Sequence, residues 1–274
     1  MPNTPSIFRR QIALPQDHGS WVFILSPLII GLFAGKQIFT ASWVLAAAAM
    51  TAFLVRQPVT VAIKAYSGRR PHSDLPGASV WMGVYGVFGL LCVIGLIVLG
   101  KASLLYLAIP AAPVFAWHLW LVSKRDERRQ PGIEILATGV LALAAPAAYW
   151  IGKGSYQPIG WILWILTWFQ SAASIVHAYL RLEQRGWKSN PTLETRFKSG
   201  ARALVYTGFN LVLALILGAF QIIPGMVFSA FLIQAVETLW GTINPAIGAK
   251  PVAIGIRQLI VSILFTVLFI ITWR

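Results

Sequence analysis

Residues 78–99 read ASVWMGVYGVFGLLCVIGLIVL, a run without one charged side chain. A bilayer's hydrocarbon core takes about 20 apolar residues of helix, so this stretch spells a transmembrane helix. Outward from it the pattern recurs, at 20–35, 38–56, 102–122, 133–152, 157–180, 201–220, 224–246 and 252–272, which makes nine spans. Composition agrees. Of 274 residues, 57% are hydrophobic and 11% charged, with mean hydropathy +0.72, whereas soluble domains carry about 25% charged residues. An ordinary soluble domain, a disordered chain and a fibrous repeat are excluded. The chain reads as all-α, a polytopic membrane helical bundle. Residues 1–19 form a cytoplasmic N-terminal segment and 20–274 a single transmembrane domain.

The connections between spans are of two kinds. Short ones follow the first, third, fifth and seventh spans; long or charged ones follow the second, fourth, sixth and eighth. The spans therefore pair into hairpins opening to one side. Of the 22 Lys and Arg residues, 18 fall on that side, leaving Lys36, Lys101, Lys153 and Arg274 on the other. This asymmetry places the N-terminus in the cytoplasm, in a multi-pass protein of the cell's inner (plasma) membrane. Most of the net charge of +14 is thus topology, and no nucleic-acid partner is expected. Trp21, Trp81, Trp117, Trp120 and Trp240 fall near cytoplasmic ends, as headgroup-level anchors do. Trp161, Trp164 and Trp168 make a stripe along one helix, suited to lipid, a neighbouring helix or a flat ligand. Pro110, Pro113 and Pro146 predict kinks, and Pro224 and Pro245 the two ends of the eighth span.

The first 19 residues are polar and proline-bearing, without the layout of a signal peptide, so the first span reads as a retained helix. Cys92 lies alone in an apolar run. The histidines His18, His72, His118 and His177 show no metal-ligand spacing, so no metal is predicted. Walker loops, dinucleotide fingerprints and Ser-His-Asp signatures are missing.

Two stretches carry polar groups at i, i+4 and i+8. Arg56, Thr60 and Lys64 leave the second span; His177, Arg181 and Arg185 leave the sixth. On a helix that spacing drifts by roughly 40° per step, so each triplet shares a face. Guanidinium forks suit phosphate oxygens. The two faces are candidates for binding an anion or lipid head, or they are juxtamembrane topology charges that meet anionic lipid. Glu237, in the eighth span, is an ionisable group at membrane depth, a functional candidate by default. It pairs with Arg257 or with a basic triplet, or it moves protons. His18, beside Asp17, is either an acid/base group or a structural hydrogen-bonder. Asn210, Gln170, Ser171 and Ser174 read as bridges between helices.

Nine spans, an inside N-terminus and polar stretches after the second and sixth spans resemble the UbiA-type intramembrane prenyltransferases. That resemblance implies a UbiA-like arrangement of helices. In that family the two stretches carry aspartates that hold Mg²⁺ against a prenyl diphosphate. Here basic residues stand in their place, and Asp74 and Glu183 belong to no such motif. A closer resemblance is to the YwiC-like family of bacterial membrane proteins. It rests on Leu14-Pro15-Gln16-Asp17-His18-Gly19-Ser20-Trp21, on Arg56-Gln57-Pro58, and on Ser174 to Arg181. It implies a class and no established chemistry.

Together these readings favour a non-catalytic membrane protein. It would bind an isoprenoid, quinone, pigment or anionic lipid, with no other cofactor. Membrane lipids are the expected partners, with other integral membrane subunits if it serves as an accessory subunit of a larger, energy-converting complex. The alternatives are a metal-independent enzyme acting on a lipid or prenyl diphosphate, and a proton-coupled transporter.

Overall fold

The computed structural model describes residues 9–15, 18–124 and 131–274, with the backbone alone of His18. The side chain of His18, and with it Asp17, Arg125, Arg128 and Arg129, lie outside the described residues. Among those described the chain is helical throughout, without a strand.

A short helix α1 (Arg10–Ala13) and a 3-10 turn (His18–Trp21) lead into α2 (Val22–Gly35). Then come α3 (Thr40–Tyr66), α4 (Leu75–Val98), α5 (Ala111–Lys124), α6 (Pro131–Ala142), α7 (Ala144–Lys153), α8 (Ile159–Gln184), α9 (Leu193–Ala219), α10 (Phe228–Ile243) and α11 (Pro251–Thr272). The nine apolar spans all appear as helical segments. Eight are long and apolar enough to cross a membrane, and Gly19–Gly35 is a shorter apolar ninth. The protein is a polytopic membrane bundle.

Proline sets the breaks. Pro110 separates a 3-10 segment (Ala102–Ala108) from α5. The fifth span divides into α6 and α7 at Leu143, three residues before Pro146, whose missing N–H cannot serve the Ala142 carbonyl. Pro58 does not end α3. The helix runs through it to Tyr66, beyond the expected limit at 56, and α8 likewise continues to Gln184. Both basic triplets therefore sit on the ends of long helices.

The centre is built from α2, α7 and α8. Every residue of α7 from Ala144 to Gly152 is buried. Small residues let backbones touch there, as at close helix crossings in membranes. A Cβ on Gly31 would stand 2.2 Å from the Ala145 carbonyl oxygen, and one on Gly152 2.8 Å from the Gly35 Cα. One flank holds α3, α4 and α5; the other holds α9, α10 and α11, with α11 also against α2 and α8. The apolar face of α4 is largely bare, with Val84, Val87, Leu91 and Ile94 all exposed, as suits contact with lipid.

The Trp stripe packs between helices. At the α6–α7 break the Leu143 N–H bonds to the Val140 carbonyl, which releases the Gly139 carbonyl. The Trp164 indole N–H donates to it at 2.8 Å, and Trp168 donates to the Ile135 carbonyl at 2.7 Å. Gly139 is small because the Trp168 ring lies on it: a Cβ there would meet the indole at 2.6 Å.

Helix α1 docks against α3 and α4. Ile12 is buried with Val61, Ala62 and Ala78. Tyr85 donates to the Ala13 carbonyl at 3.1 Å, and Gln57 to the Gln11 carbonyl at 2.8 Å. Asp74 receives Arg70 at 3.2 Å and Arg9 at 3.5 Å. From there the chain passes to the His18–Trp21 turn, which packs on α2 and α11.

Candidate functional site

Helix geometry brings three polar groups to one level. His177 lies seven residues from the end of α8, Glu237 six from the end of α10, and Arg257 six from the start of α11. All three ends lie on the face that carries the basic connections, so each Cα sits roughly 9–11 Å inside its helix end, at a rise of about 1.5 Å per residue.

Their contacts form a chain. Arg257 grips the Glu237 carboxylate with both prongs: Nε to Oε1 at 2.6 Å and Nη2 to Oε2 at 2.8 Å. Fork-to-carboxylate pairing of this kind is strong and directional. His177 Nε2 faces Glu237 Oε1 at 3.7 Å, and the imidazole is almost wholly buried. Its Nδ1 has no hydrogen-bond partner among the described residues. The Arg257 guanidinium lies 3.8 Å from the centroid of the Trp240 ring, with Arg181 5.6 Å from the same ring. Arg181 Nη1 donates to Gln184 Oε1 at 2.8 Å and to the carbonyls of Gly241 and Asn244 at 2.6 and 2.7 Å. It thus caps the C-terminal end of α10, where exposed carbonyls favour a cation. Gln184 supports it, donating to the Gly241 carbonyl at 3.0 Å and accepting from the Ala246 N–H at 3.2 Å. Gly241 has no side chain because none fits: a Cβ would meet His177 Cε1 at 2.8 Å and Arg181 at 3.3 Å.

Deeper in the bundle a neutral seam continues the cluster. Gln258 donates to Ser174 Oγ at 2.7 Å and to Gln234 Oε1 at 2.8 Å. Gln170 Nε2 reaches Gln234 Oε1 at 3.4 Å. Asn210 donates to the Phe169 carbonyl at 2.8 Å, tying α9 to α8. Ser171 turns back on its own helix, donating to the Thr167 carbonyl at 2.9 Å.

The two basic triplets meet different surroundings. Arg56, Thr60 and Lys64 lie half-buried along α3, with the Arg56 guanidinium 5.5 Å from the Phe53 ring centroid. Among the α8 triplet His177 and Arg181 are buried, while Arg185 is exposed. The helices α3 and α8 do not pack side by side; α2 and α7 each touch both. The structure therefore brings Glu237 to His177 and to Arg257, and leaves the α3 triplet in another part of the bundle. Among the described residues, no three His, Cys, Asp or Glu side chains come close enough together to hold a metal ion.

Sequence reasoning missed Gln258, Gln184 and Gly241. A Gln three positions after an Arg near the end of a helix, as in Arg181-Leu-Glu-Gln184, is a usable signal of capping; Gly241 gives none until its neighbours are known.

One side of the cluster opens. Between α10 and α11 runs an apolar groove of about 920 Å³, walled by Leu232, Val236, Ile256, Ile260 and Leu264, with Glu237 and Arg257 in its lining. The Arg257 side chain is 45% exposed and that of Glu237 11%.

Comparison with known proteins bears on the other half of the chain. A family model described as "YwiC-like protein" matches residues 14–149. A similar protein, "Uncharacterized protein YwiC" of Bacillus subtilis (strain 168), is 24% identical over 159 residues, which cover 56% of this chain and 59% of that relative. No solved structure matches. The family match ends within α7, so the cluster on α8, α10 and α11 lies wholly beyond it.

Proposed function

Since this chain belongs, through its residues 14–149, to the YwiC-like family of membrane proteins, we propose that it acts within the bilayer as a non-catalytic binder of an amphipathic ligand. The ligand classes are an isoprenoid, a quinone, a pigment or an anionic lipid, held by a multi-pass protein of the cytoplasmic membrane. In this role the protein serves as an accessory subunit of a larger membrane complex.

One observation carries the reading. Arg181, Arg257 and Glu237 gather beside His177 inside the span of the helices, with two formal positive charges against one negative. Charge at such depth is costly unless it is paired or has a ligand to meet. An internal ion pair alone would close that account at zero, and this one leaves a positive excess. The half-buried Arg56, Thr60 and Lys64 on α3 offer a second place for an anionic head, with Arg185 at the end of α8. His18 leads the turn against α11 and is the remaining candidate contact.

Gentle extraction of the full chain followed by mass spectrometry of everything that travels with it tests this. A tailed amphiphile or a membrane subunit retained in near-stoichiometric amount is the expected result. A lone protein with neither would overturn the reading. Turnover of a prenyl diphosphate by the purified protein, with or without Mg²⁺, would overturn its non-catalytic part.

A further inference from the structure

Resting on that reading, we infer that the α10–α11 groove is the seat of a phosphodiester lipid. Its single negative charge meets Arg257, and its chain lies along the groove.

The head comes first. Glu237 occupies Nε and Nη2 of Arg257, and no described residue accepts from Nη1. Nearly half of this side chain is exposed, on a face where, beside Glu237 and Ser229, the lining is Leu, Ile, Val and Ala. A half-exposed guanidinium with an unfilled prong calls for an oxygen acceptor. Arg has a planar fork suited to phosphate oxygens and is more weakly hydrated than Lys, so it binds such a head with less loss of water. The local sum of charge sets the valence: Arg181 and Arg257 against Glu237 leave one positive charge when His177 is neutral. A monoanion cancels it.

The tail follows from distance. Ile256, Ile260, Leu264 and Leu268 recur at intervals of four, forming one ridge of α11, and Leu232 and Val236 do the same on α10. From Arg257 to Leu268 the helix rises roughly 16 Å. Half the bilayer core is about 15 Å, the reach of one leaflet's chain. The bond from Cα to Cβ leans toward a helix's N-terminus. On α11 that direction is toward the face with the basic connections, so Arg257 leans toward the headgroups of the leaflet from which such a lipid would enter. A second copy or a partner helix fits less well, since a dry helix contact would bury the ion pair with the Arg257 Nη1 prong unmet.

The test uses the full chain in detergent or nanodiscs with a photoactivatable phosphodiester lipid bearing a mid-chain diazirine. Label on α10 and α11 is expected, competed by unlabelled phosphodiester lipid and not by a neutral diacylglycerol. Arg257→Gln should cut labelling by about tenfold or more, as loss of a charge-assisted hydrogen bond implies. Ile260→Trp fills the groove, leaves the ion pair alone, and should also cut it. Glu237→Gln should raise labelling, because it removes the competing anion; a merely structural ion pair would instead lose label along with folded protein. Label confined to other helices would overturn the groove assignment while leaving lipid binding standing. Absence of lipid from the native preparation together with absence of label would overturn both. Label that ignores head charge, or a protein released by Ile260→Trp in place of lipid, would overturn the phosphodiester assignment.

Discussion

Arg56, Thr60 and Lys64 on α3 recur at the same interval as His177, Arg181 and Arg185 on α8, yet the two faces have different neighbours. What differs is the element opposite. Helix α8 runs past the C-terminal end of α10, whose last carbonyls lack partners within their own helix, and Arg181 fills that role. Helix α3 meets α1 and α4 near its triplet, where Gln57 reaches the Gln11 carbonyl and Ile12 packs on Val61. Spacing tells which residues share a face. The element across the face decides which contacts a cation there makes.

The contrast can be broken at the middle position of each triplet. Arg181→Ala should have the largest effect. It strips the charged cap from α10, leaving the Asn244 carbonyl unmet and Gln184 without this donor, at about 3 kcal/mol or more, read as a large fall in melting temperature in detergent. Gly241→Ala comes next. The added methyl has to displace His177 and Arg181, with overpacking costing about 1–3 kcal/mol; the same assay should show a smaller fall. Trp164→Phe removes the indole donor to the Gly139 carbonyl, and should cost about 1 kcal/mol, seen as a still smaller fall in melting temperature in detergent. Thr60→Ala, at the α3 counterpart of Arg181, takes only a half-buried hydroxyl from the face and should stay within about 0.5 kcal/mol. A Thr60→Ala effect as large as that of Arg181→Ala would show that the two faces are equivalent after all.

Much of this fold was readable in the chain. The nine spans follow from runs of apolar residues long enough for a bilayer, and the break at Pro146 from a ring that cannot donate. Glu237 stood out because a lone acid in an apolar helix is expensive, and Arg257 was already one of its possible partners. The reach of α3 past Pro58 was not readable, since a proline in a helix lowers the chance of continuation without forbidding it. The role of Arg181 was not readable either: its acceptors lie sixty residues away on another helix, and no local pattern announces them. The order of polar stretches along the chain, on which the UbiA-type likeness rests, does not say which helices lie side by side, and α3 and α8 do not.

Helix α2 has 14 residues, a rise of roughly 21 Å against a bilayer core of about 30 Å. The His18–Trp21 turn runs straight into it and, at about 2 Å per residue, adds roughly 8 Å. Its far end is fixed, because Gly35 lies on Gly152. The turn is thus part of the length of the first span, and were it to unwind, a bilayer of shorter lipids would fit the molecule better than one of longer lipids.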